Sequence, residues 1–268
     1  MSVKREPSGR RSVQVEVEVP GTPEQVWQAI ATGPGISAWF VPTKVEPGVG
    51  GKLTLDFGPG MESTAKITGW DPPRKLTAES NDLPGGPPMA TEWIVEARAG
   101  GKCIVRVVHS LFASTDDWDN QLESTEGGWP SFFAVLRIYL THHAGQPSAL
   151  VQTFSMAQGT ADEAWATLSR ALALGEAKVG QRLSVRSGAL ELEGTIERST
   201  RHPQFGNGIV AHLDRPTGGV AVAGAFPCGG PTMAMLNLYL YGPRAAEVAK
   251  RDDAKWKEWI GGLFTVTT

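Results

Sequence analysis

His109 is the side chain in this sequence best suited to chemistry. Cys103, Val105 and Val107 precede it at alternate positions, so His109 is expected on the same apolar face of a strand. An imidazole placed there serves as a general base or as a hydrogen-bond donor to a bound molecule. It also serves as a structural side chain at a strand end, satisfied by backbone or water. The sequence pattern pairs no carboxylate or nucleophile with it, and both interpretations stay open.

Aromatic side chains are predicted to share the interior with His109. Trp93 falls on the inward face of its own predicted strand, and Trp129 and Phe133 lie on the apolar stripe of a helix. Such rings line a pocket and stack on a planar ligand, or they fill a core. Trp39 and Phe40 follow a glycine-rich loop, where they would gate a cavity, contact a partner or pack. We predict a ligand site formed by Trp93, His109, Trp129 and Phe133.

The sequence carries no recognisable metal, phosphate or nucleophile motif. His142 and His143 are adjacent, and neighbouring helix positions diverge by about 100°, so they do not form a metal pair. The glycine-rich segments lack the context of a phosphate loop, and no GxSxG or SxxK element is present. Cys103 and Cys228 lack ligand spacing and are expected to be free thiols. We therefore expect no metal and no cofactor.

Length and charge narrow the class of protein. The 268 residues suffice for two domains, and a net charge of −3 with a pI of about 6.0 gives no basic footprint for nucleic acid. No apolar run is long enough to span a membrane and no secretory signal opens the sequence, so a cytoplasmic location is predicted. The basic residues 1–11 are predicted to form a frayed, disordered tail.

A repeated segment indicates that the chain consists of two related halves. GTPEQVW at 21–27 recurs as GTADEAW at 159–165. In each copy a threonine, Thr22 or Thr160, is expected to begin a helix. Gln25 or Glu163, three residues later, would complete a capping box. Because the two copies share both residue types and the helix-capping pattern, they indicate a duplicated domain.

Short apolar runs separated by turns surround these two helices. The turns are too short for the crossovers of parallel strands, so an antiparallel meander is predicted. A long helix closes each half, the first starting or kinking near Pro130 and the second running from about 243 to 264. The predicted strands are 13–19, 52–57, 65–70, 76–80, 91–98, 103–110, 150–156, 182–185, 190–196, 208–213, 220–223 and 232–241.

This order of elements resembles the START/SRPBCC helix-grip superfamily, and within it the family of the activator of heat-shock protein 90 ATPase. The resemblance rests on TPEQVWQAIATGPGISAWF at 22–40, VGGKLTLDF at 49–57, ITGWDPPRKL at 67–76 and GGWPSFFAVLRIYL at 127–140. It implies an α+β fold in which a curved antiparallel sheet wraps a long C-terminal helix. It also implies a cavity between them, used in that superfamily for lipids, polyketides or other apolar molecules. The predicted domains are residues 12–146 and a diverged copy at 147–268.

Three functions are compatible with these features. The favoured hypothesis is a non-catalytic module that holds a small apolar or aromatic molecule in the N-terminal cavity. The second is an enzyme of the cyclase or hydrolase type that uses His109. The third is protein interaction in the manner of a chaperone-ATPase activator, with a chaperone or a second copy as partner. The second domain is predicted to be structural, because the strand from Met233 to Tyr241 is apolar on both faces and both must be covered.

Overall fold

A computed structural model describes residues 3–58, 60–81, 83, 85–188, 190–228 and 230–264. The chain divides into two compact units, the first ending at His142 and the second beginning at His143. The predicted domain boundary at 146/147 lies slightly further along and stays a prediction. Within the described residues, no helix is long and apolar enough to cross a membrane.

The first unit is an eight-stranded antiparallel sheet with three helices. Its strands are β1 (Lys4–Arg5), β2 (Arg10–Pro20), β3 (Thr43–Val45), β4 (Lys52–Asp56), β5 (Glu62–Asp71), β6 (Lys75–Ser80), β7 (Met89–Arg98) and β8 (Lys102–Phe112). Its helices are α1 (Pro23–Ala31), α2 (Gly33–Ser37) and α3 (Asp119–Ile138), and a π-helical turn, Tyr139–His143, follows α3. The strand order is β1-β2-β8-β7-β6-β5-β4-β3. We call the face of this sheet that is turned towards α3 its inner face.

The second unit repeats the plan with six strands and two helices. The elements are β9 (Ser148–Ala157), α4 (Ala161–Ala171), β10 (Arg182–Ser187), β11 (Leu190–His202), β12 (Gly206–Arg215), β13 (Gly219–Pro227), β14 (Thr232–Tyr241) and α5 (Ala245–Phe264). The strand order is β10-β11-β12-β13-β14-β9, and every pairing is antiparallel. The predicted α+β fold of tandem helix-grip domains is confirmed.

Both predicted capping boxes are present. Thr22 Oγ1 accepts from the Gln25 backbone N–H at 3.3 Å, and Gln25 Oε1 accepts from the Thr22 N–H at 2.9 Å. At the start of α4, Thr160 and Glu163 make the same reciprocal bonds at 3.2 and 2.7 Å. Each pair satisfies two backbone donors that the first helical turn leaves without an intrahelical partner.

The structure differs from the predicted glycine-rich loop before Trp39 and from the predicted break near Pro130. α1 ends at Ala31, and Gly33 begins the short helix α2, because the Thr32 hydroxyl caps it by accepting from the Gly35 N–H at 3.1 Å. Pro130 lies inside α3, and the helix is continuous from Asp119 to Ile138. Proline costs a helix about 3 kcal/mol. The apolar stripe that buries Leu122, Trp129 and Phe133 continues across Pro130, and this packing outweighs that cost.

The prediction that residues 1–11 form a disordered tail is wrong for the part that is described. Lys4–Arg5 pairs with Arg11–Ser12 as a short hairpin. Arg5 and Arg11 then both donate to the carboxylate of Asp119 at 2.7 Å, at the first turn of α3. Burial acts to raise the pKa of Asp119, but the hydrogen bonds and charges of the two arginines outweigh it and lower that pKa. The N-terminal hairpin is therefore tied to the helix that covers the sheet.

We expect Asp119→Asn to lower the free energy of unfolding by about 1–2 kcal/mol, because two charged hydrogen bonds are weakened while the Arg5 side chain stays largely in water. The amide also loses the favourable interaction of a carboxylate with a helix N-terminus. Urea unfolding at neutral pH measures the change. Asp116→Asn, at an exposed carboxylate just before α3, is the matched control and should be close to neutral. Equal effects of the two substitutions would contradict a structural role for this ion pair.

Candidate functional site

The site begins with the inward stripe of α3. Trp129 and Phe133 are one helical turn apart and therefore share a face of the helix. Their side chains are 7 % and 2 % exposed, and their rings lie 5.6 Å apart between centroids. Phe132, on the adjacent face of the helix, is half-buried. The predicted phase of this helix is therefore correct at Trp129 and Phe133.

Strands β7 and β8 place Trp93 and His109 against this stripe. Both side chains are buried, and the Trp93 ring lies 5.1 Å from Trp129 and 6.2 Å from Phe133 between centroids. The His109 ring lies nearly parallel to Trp129, at 5.6 Å. The structure thus brings the four predicted site residues into one cluster in the first unit. Their role in ligand binding stays a prediction.

His109 is held by hydrogen bonds at both ring nitrogens. Trp129 Nε1–H donates to His109 Nε2 at 2.8 Å, and His109 Nδ1 lies 3.0 Å from Thr91 Oγ1. An indole N–H is a donor only, so Nε2 carries no hydrogen and the neutral ring is protonated at Nδ1. His109 therefore donates to the Thr91 hydroxyl, and the bonds run in one direction from Trp129 through His109 to Thr91.

Burial keeps this imidazole uncharged. Desolvation lowers the pKa of His109 to about 4, because the surrounding rings and strands cannot solvate an imidazolium. A charged ring would also carry a proton on Nε2 and could not accept from Trp129. Near neutral pH, His109 is a neutral link between Trp129 and Thr91.

Thr91 is the member of this chain of bonds that sequence reasoning did not select. It lies directly opposite His109 in the β7–β8 register, so the two side chains share the inner face. The sequence did hold a signal, because Thr91 and His109 are equally distant from Gly100 in the predicted hairpin. A threonine on an apolar face, opposite a histidine, marks a hydrogen-bonded cross-strand pair.

One end of the inner face stays accessible to solvent. Leu55, Ser63, Met89 and Thr91 share the inner face by register and are each half-buried. By contrast Val13, Ala78 and His109, which share the cross-strand row of Thr91, are 2–5 % exposed. The inner face is therefore partly exposed at Met89 and Thr91 on β7, beside the buried rings, and separately at Leu55 on β4 and Ser63 on β5.

Trp39 and Phe40 have different roles. Trp39 is 1 % exposed, and its Nε1–H donates to the Ala29 carbonyl at 2.9 Å, so it anchors α1 and does not gate a cavity. Phe40 joins the ring cluster, 5.2 Å from Trp129 and 4.6 Å from Phe132 between centroids. Because the half-buried Phe57 lies 5.7 Å from Phe40, the aromatic cluster continues from His109 towards the surface.

The histidines and cysteines outside this cluster lie apart from one another, except for one pair. His143 is buried and its Nε2 lies 3.3 Å from His212 Nε2, while its ring stacks on Tyr241 at 4.4 Å. Across the part of the chain that the structure describes, no three His, Cys, Asp or Glu side chains are grouped to hold a metal ion. The Cys103 thiol is buried and donates to the Gly21 carbonyl at 3.3 Å, and burial raises its pKa. It is a packed thiol and not an activated nucleophile.

A surface depression of about 390 Å³ lies apart from the aromatic cluster, beside the N-terminal hairpin. Three of its lining residues are arginines. Arg5 and Arg11 are paired with Asp119, and Arg10 is paired with Glu6 and Glu92. These charges are matched within the protein, so the depression is not an anion site.

The family of the first unit follows from its sequence and its fold together. Residues 10–140, from β2 to the end of α3, match the family described as "Polyketide cyclase / dehydrase and lipid transport". The first unit belongs to the helix-grip superfamily. The second unit has the same architecture and lies outside the matched residues.

Solved helix-grip structures resemble parts or nearly all of this chain. DynU16, from the dynemicin biosynthetic locus, is 14% identical and covers 94% of this chain and 96% of its own, with a TM-score of 0.43. The di-domain ARO/CYC protein BexL, from the BE-7585A biosynthetic pathway, is 14% identical and covers 93% and 95%, with a TM-score of 0.44. The Aha1 dimer from Colwellia psychrerythraea is 21% identical and covers 48% and 95%, with a TM-score of 0.40. No curated protein matches the chain. At such low identities these likenesses carry no information on activity.

Proposed function

We propose that the first unit binds a small apolar or aromatic molecule between its sheet and α3, and that it does so without catalysis. The cluster of Trp93, Trp129, Phe133 and Phe40 offers ring faces and edges for a planar ligand. The accessible inner face around Thr91 offers a route to these rings. The family description, which includes lipid transport, supports an apolar occupant.

The observation that carries this proposal is the engagement of both nitrogens of His109. A general base needs a free lone pair, and the lone pair of Nε2 already accepts from Trp129. A general acid near neutral pH needs a proton with a pKa in that range, whereas the pKa of His109 is lowered to about 4. The imidazole therefore positions other groups and does not exchange protons with a ligand.

A cyclase-type reaction is the second candidate, favoured by the family description, which names cyclase and dehydrase. In this unit such a reaction would rely on the cavity to fold the substrate, since His109 is committed to Trp129 and Thr91. The two candidates differ in outcome: a binding module releases its ligand chemically unchanged, and a cyclase or dehydrase releases an isomerised or dehydrated product.

The second unit is proposed to be structural. Its interior is filled by Trp165, Leu168, Trp256 and Ile260 against the alternating leucines of β14, and all of these are buried. On the opposite face of β14, Asn237, Tyr239 and Tyr241 are buried, whereas Met233 and Met235 are half-buried. Burial at the Tyr241 end of the strand supports the proposal.

Native mass spectrometry of freshly purified protein tests the proposed function. We expect a co-purified small molecule whose mass and fragmentation pattern stay the same after it is released and incubated again with the ligand-free protein. Trp93→Leu should lower its occupancy about tenfold, the upper range for loss of an aromatic contact. Trp259→Leu, at a partly buried tryptophan of the second unit, is the matched control and should leave occupancy unchanged. If occupancy fell in Trp259→Leu and not in Trp93→Leu, the site would lie in the second unit. A chemically converted molecule would favour the enzyme.

A further inference from the structure

The direction of the hydrogen bonds at His109 determines what Thr91 offers to a ligand. Trp129 donates to His109, and His109 donates to Thr91, so the Thr91 oxygen is an acceptor in this chain of bonds. A threonine hydroxyl has one hydrogen of its own, and the bond from His109 does not use it. The Thr91 O–H is therefore directed away from His109 and towards another acceptor.

The position of Thr91 decides where that hydrogen can be used. Thr91 lies on the inner face, at the end that solvent reaches, whereas its row neighbours Ala78 and His109 are buried. The half-buried Met89 lies two residues before Thr91 on the same face of β7, and Ser80, opposite Met89 on β6, is buried. A molecule lying against the rings thus presents its polar edge to Thr91.

The chain of bonds strengthens this donor. Hydrogen bonds in series polarise one another in a low-dielectric interior, so accepting from His109 makes the Thr91 hydroxyl a better donor. The His109 ring is fixed between Trp129 and Thr91, and its Nδ1–H excludes the hydroxyl orientation in which the Thr91 O–H points at His109. A preorganised donor at the rim of an apolar site selects ligands that carry a matching acceptor.

We propose that Thr91 is the specificity-determining residue of the first unit, and that the ligand is a planar ring compound bearing a carbonyl or comparable oxygen acceptor at its edge. This inference rests on the proposed function, since it names the chemical class of the molecule that the same site binds. The acceptor oxygen receives the Thr91 O–H while the ring system lies against the aromatic cluster of α3 and β7.

Equilibrium dialysis with the full chain and two probes of the same ring skeleton tests the inference. The probes are 9-fluorenone, which carries a carbonyl, and fluorene, which lacks it. One well-placed hydrogen bond predicts that fluorenone binds about tenfold more tightly than fluorene. Thr91→Val should remove this preference by weakening fluorenone alone, and Thr91→Ser, which keeps the hydroxyl, should retain it. Near-UV circular dichroism of each variant confirms that the ring cluster is intact.

The outcomes separate this inference from the proposed function. Equal affinity of the wild-type protein for the two probes would overturn the role of Thr91 and leave ring binding standing. Binding of neither probe would overturn both. If Thr91→Val fails to fold, Thr91→Ser and the ratio of the two affinities in the wild-type protein still decide the question. A preference for fluorene would show that the hydroxyl points its oxygen, and not its hydrogen, at the ligand.

Discussion

Phe133→Ala is expected to lower the free energy of unfolding by about 3–5 kcal/mol, the range for removing a large buried aromatic ring and leaving a cavity. Phe133 is 2 % exposed and its ring contacts both Trp93 and Trp129, so the loss of the ring removes contacts with the sheet and within α3. Urea unfolding followed by tryptophan fluorescence measures the change, since both partners are reporters.

Phe132→Ala is the matched control for this prediction. Phe132 is the preceding residue of the same helix and undergoes the same chemical change, but it is half-buried and contacts Phe40 at the outer part of the cluster. Its substitution is expected to cost about half as much, because the buried area lost is smaller. A larger loss at Phe132 than at Phe133 would show that α3 presents a different face to the sheet.

The parts of the fold that depend on local chemistry were predictable from the sequence. Thr22 with Gln25 and Thr160 with Glu163 specify helix starts through residues three positions apart, and the structure shows both. The hairpin around Gly100 fixes the register of β7 and β8 in the same local way, because its turn leaves a single pairing that keeps the apolar faces together. Trp129 and Phe133 were placed on one face by helical spacing alone.

The parts that depend on long-range contacts were not predictable. The order of residues 3–11 comes from Arg5 and Arg11 meeting Asp119, more than 100 positions away in the chain, and nothing local signals it. The composition of residues 3–11 resembles that of a solvated tail, so the sequence of this segment taken by itself predicts disorder. Continuity of α3 through Pro130 has the same origin, since the tertiary packing of Trp129 and Phe133 overrides a local preference.

The bonding of His109 lies between these two cases. The strand pattern placed it inside, and the hairpin register pairs it with Thr91. Its bond to Trp129 depends on how the sheet curves around α3, which no periodicity specifies. A histidine in an apolar strand face therefore left catalysis and structure both open, and the bond from Trp129 on α3 favours the structural role.

Stability is expected to fall on acidification, and the burial of His109 accounts for part of this fall. Burial lowers the pKa of His109 in the folded protein to about 4, below its ordinary value of 6.5. Between these two values the unfolded chain binds a proton that the folded protein does not, so acid favours unfolding there. This contribution to the free energy of unfolding is fully present above pH 6.5 and is lost as the pH falls towards 4. The difference between the two pKa values corresponds to about 3 kcal/mol, because one pKa unit is worth about 1.36 kcal/mol. Urea unfolding at a series of pH values across this window measures it.

His109→Gln isolates this contribution from the other titrating groups. Glutamine does not titrate, and its Oε1 can take the place of Nε2 as the acceptor for Trp129, so the fold and the bond are kept. Above about pH 6.5 the difference in unfolding free energy between the wild-type protein and the variant should be constant. Below that pH the wild-type protein should lose stability faster than the variant. Long-range ¹H–¹⁵N NMR of the His109 ring provides an independent check, and should show a hydrogen on Nδ1 and none on Nε2 near neutral pH and down to about one pH unit above the folded pKa. Parallel pH profiles for the two proteins, or a ring that charges near neutral pH, would show that His109 is solvated and open to acid–base chemistry, and would favour the enzyme over the binding module.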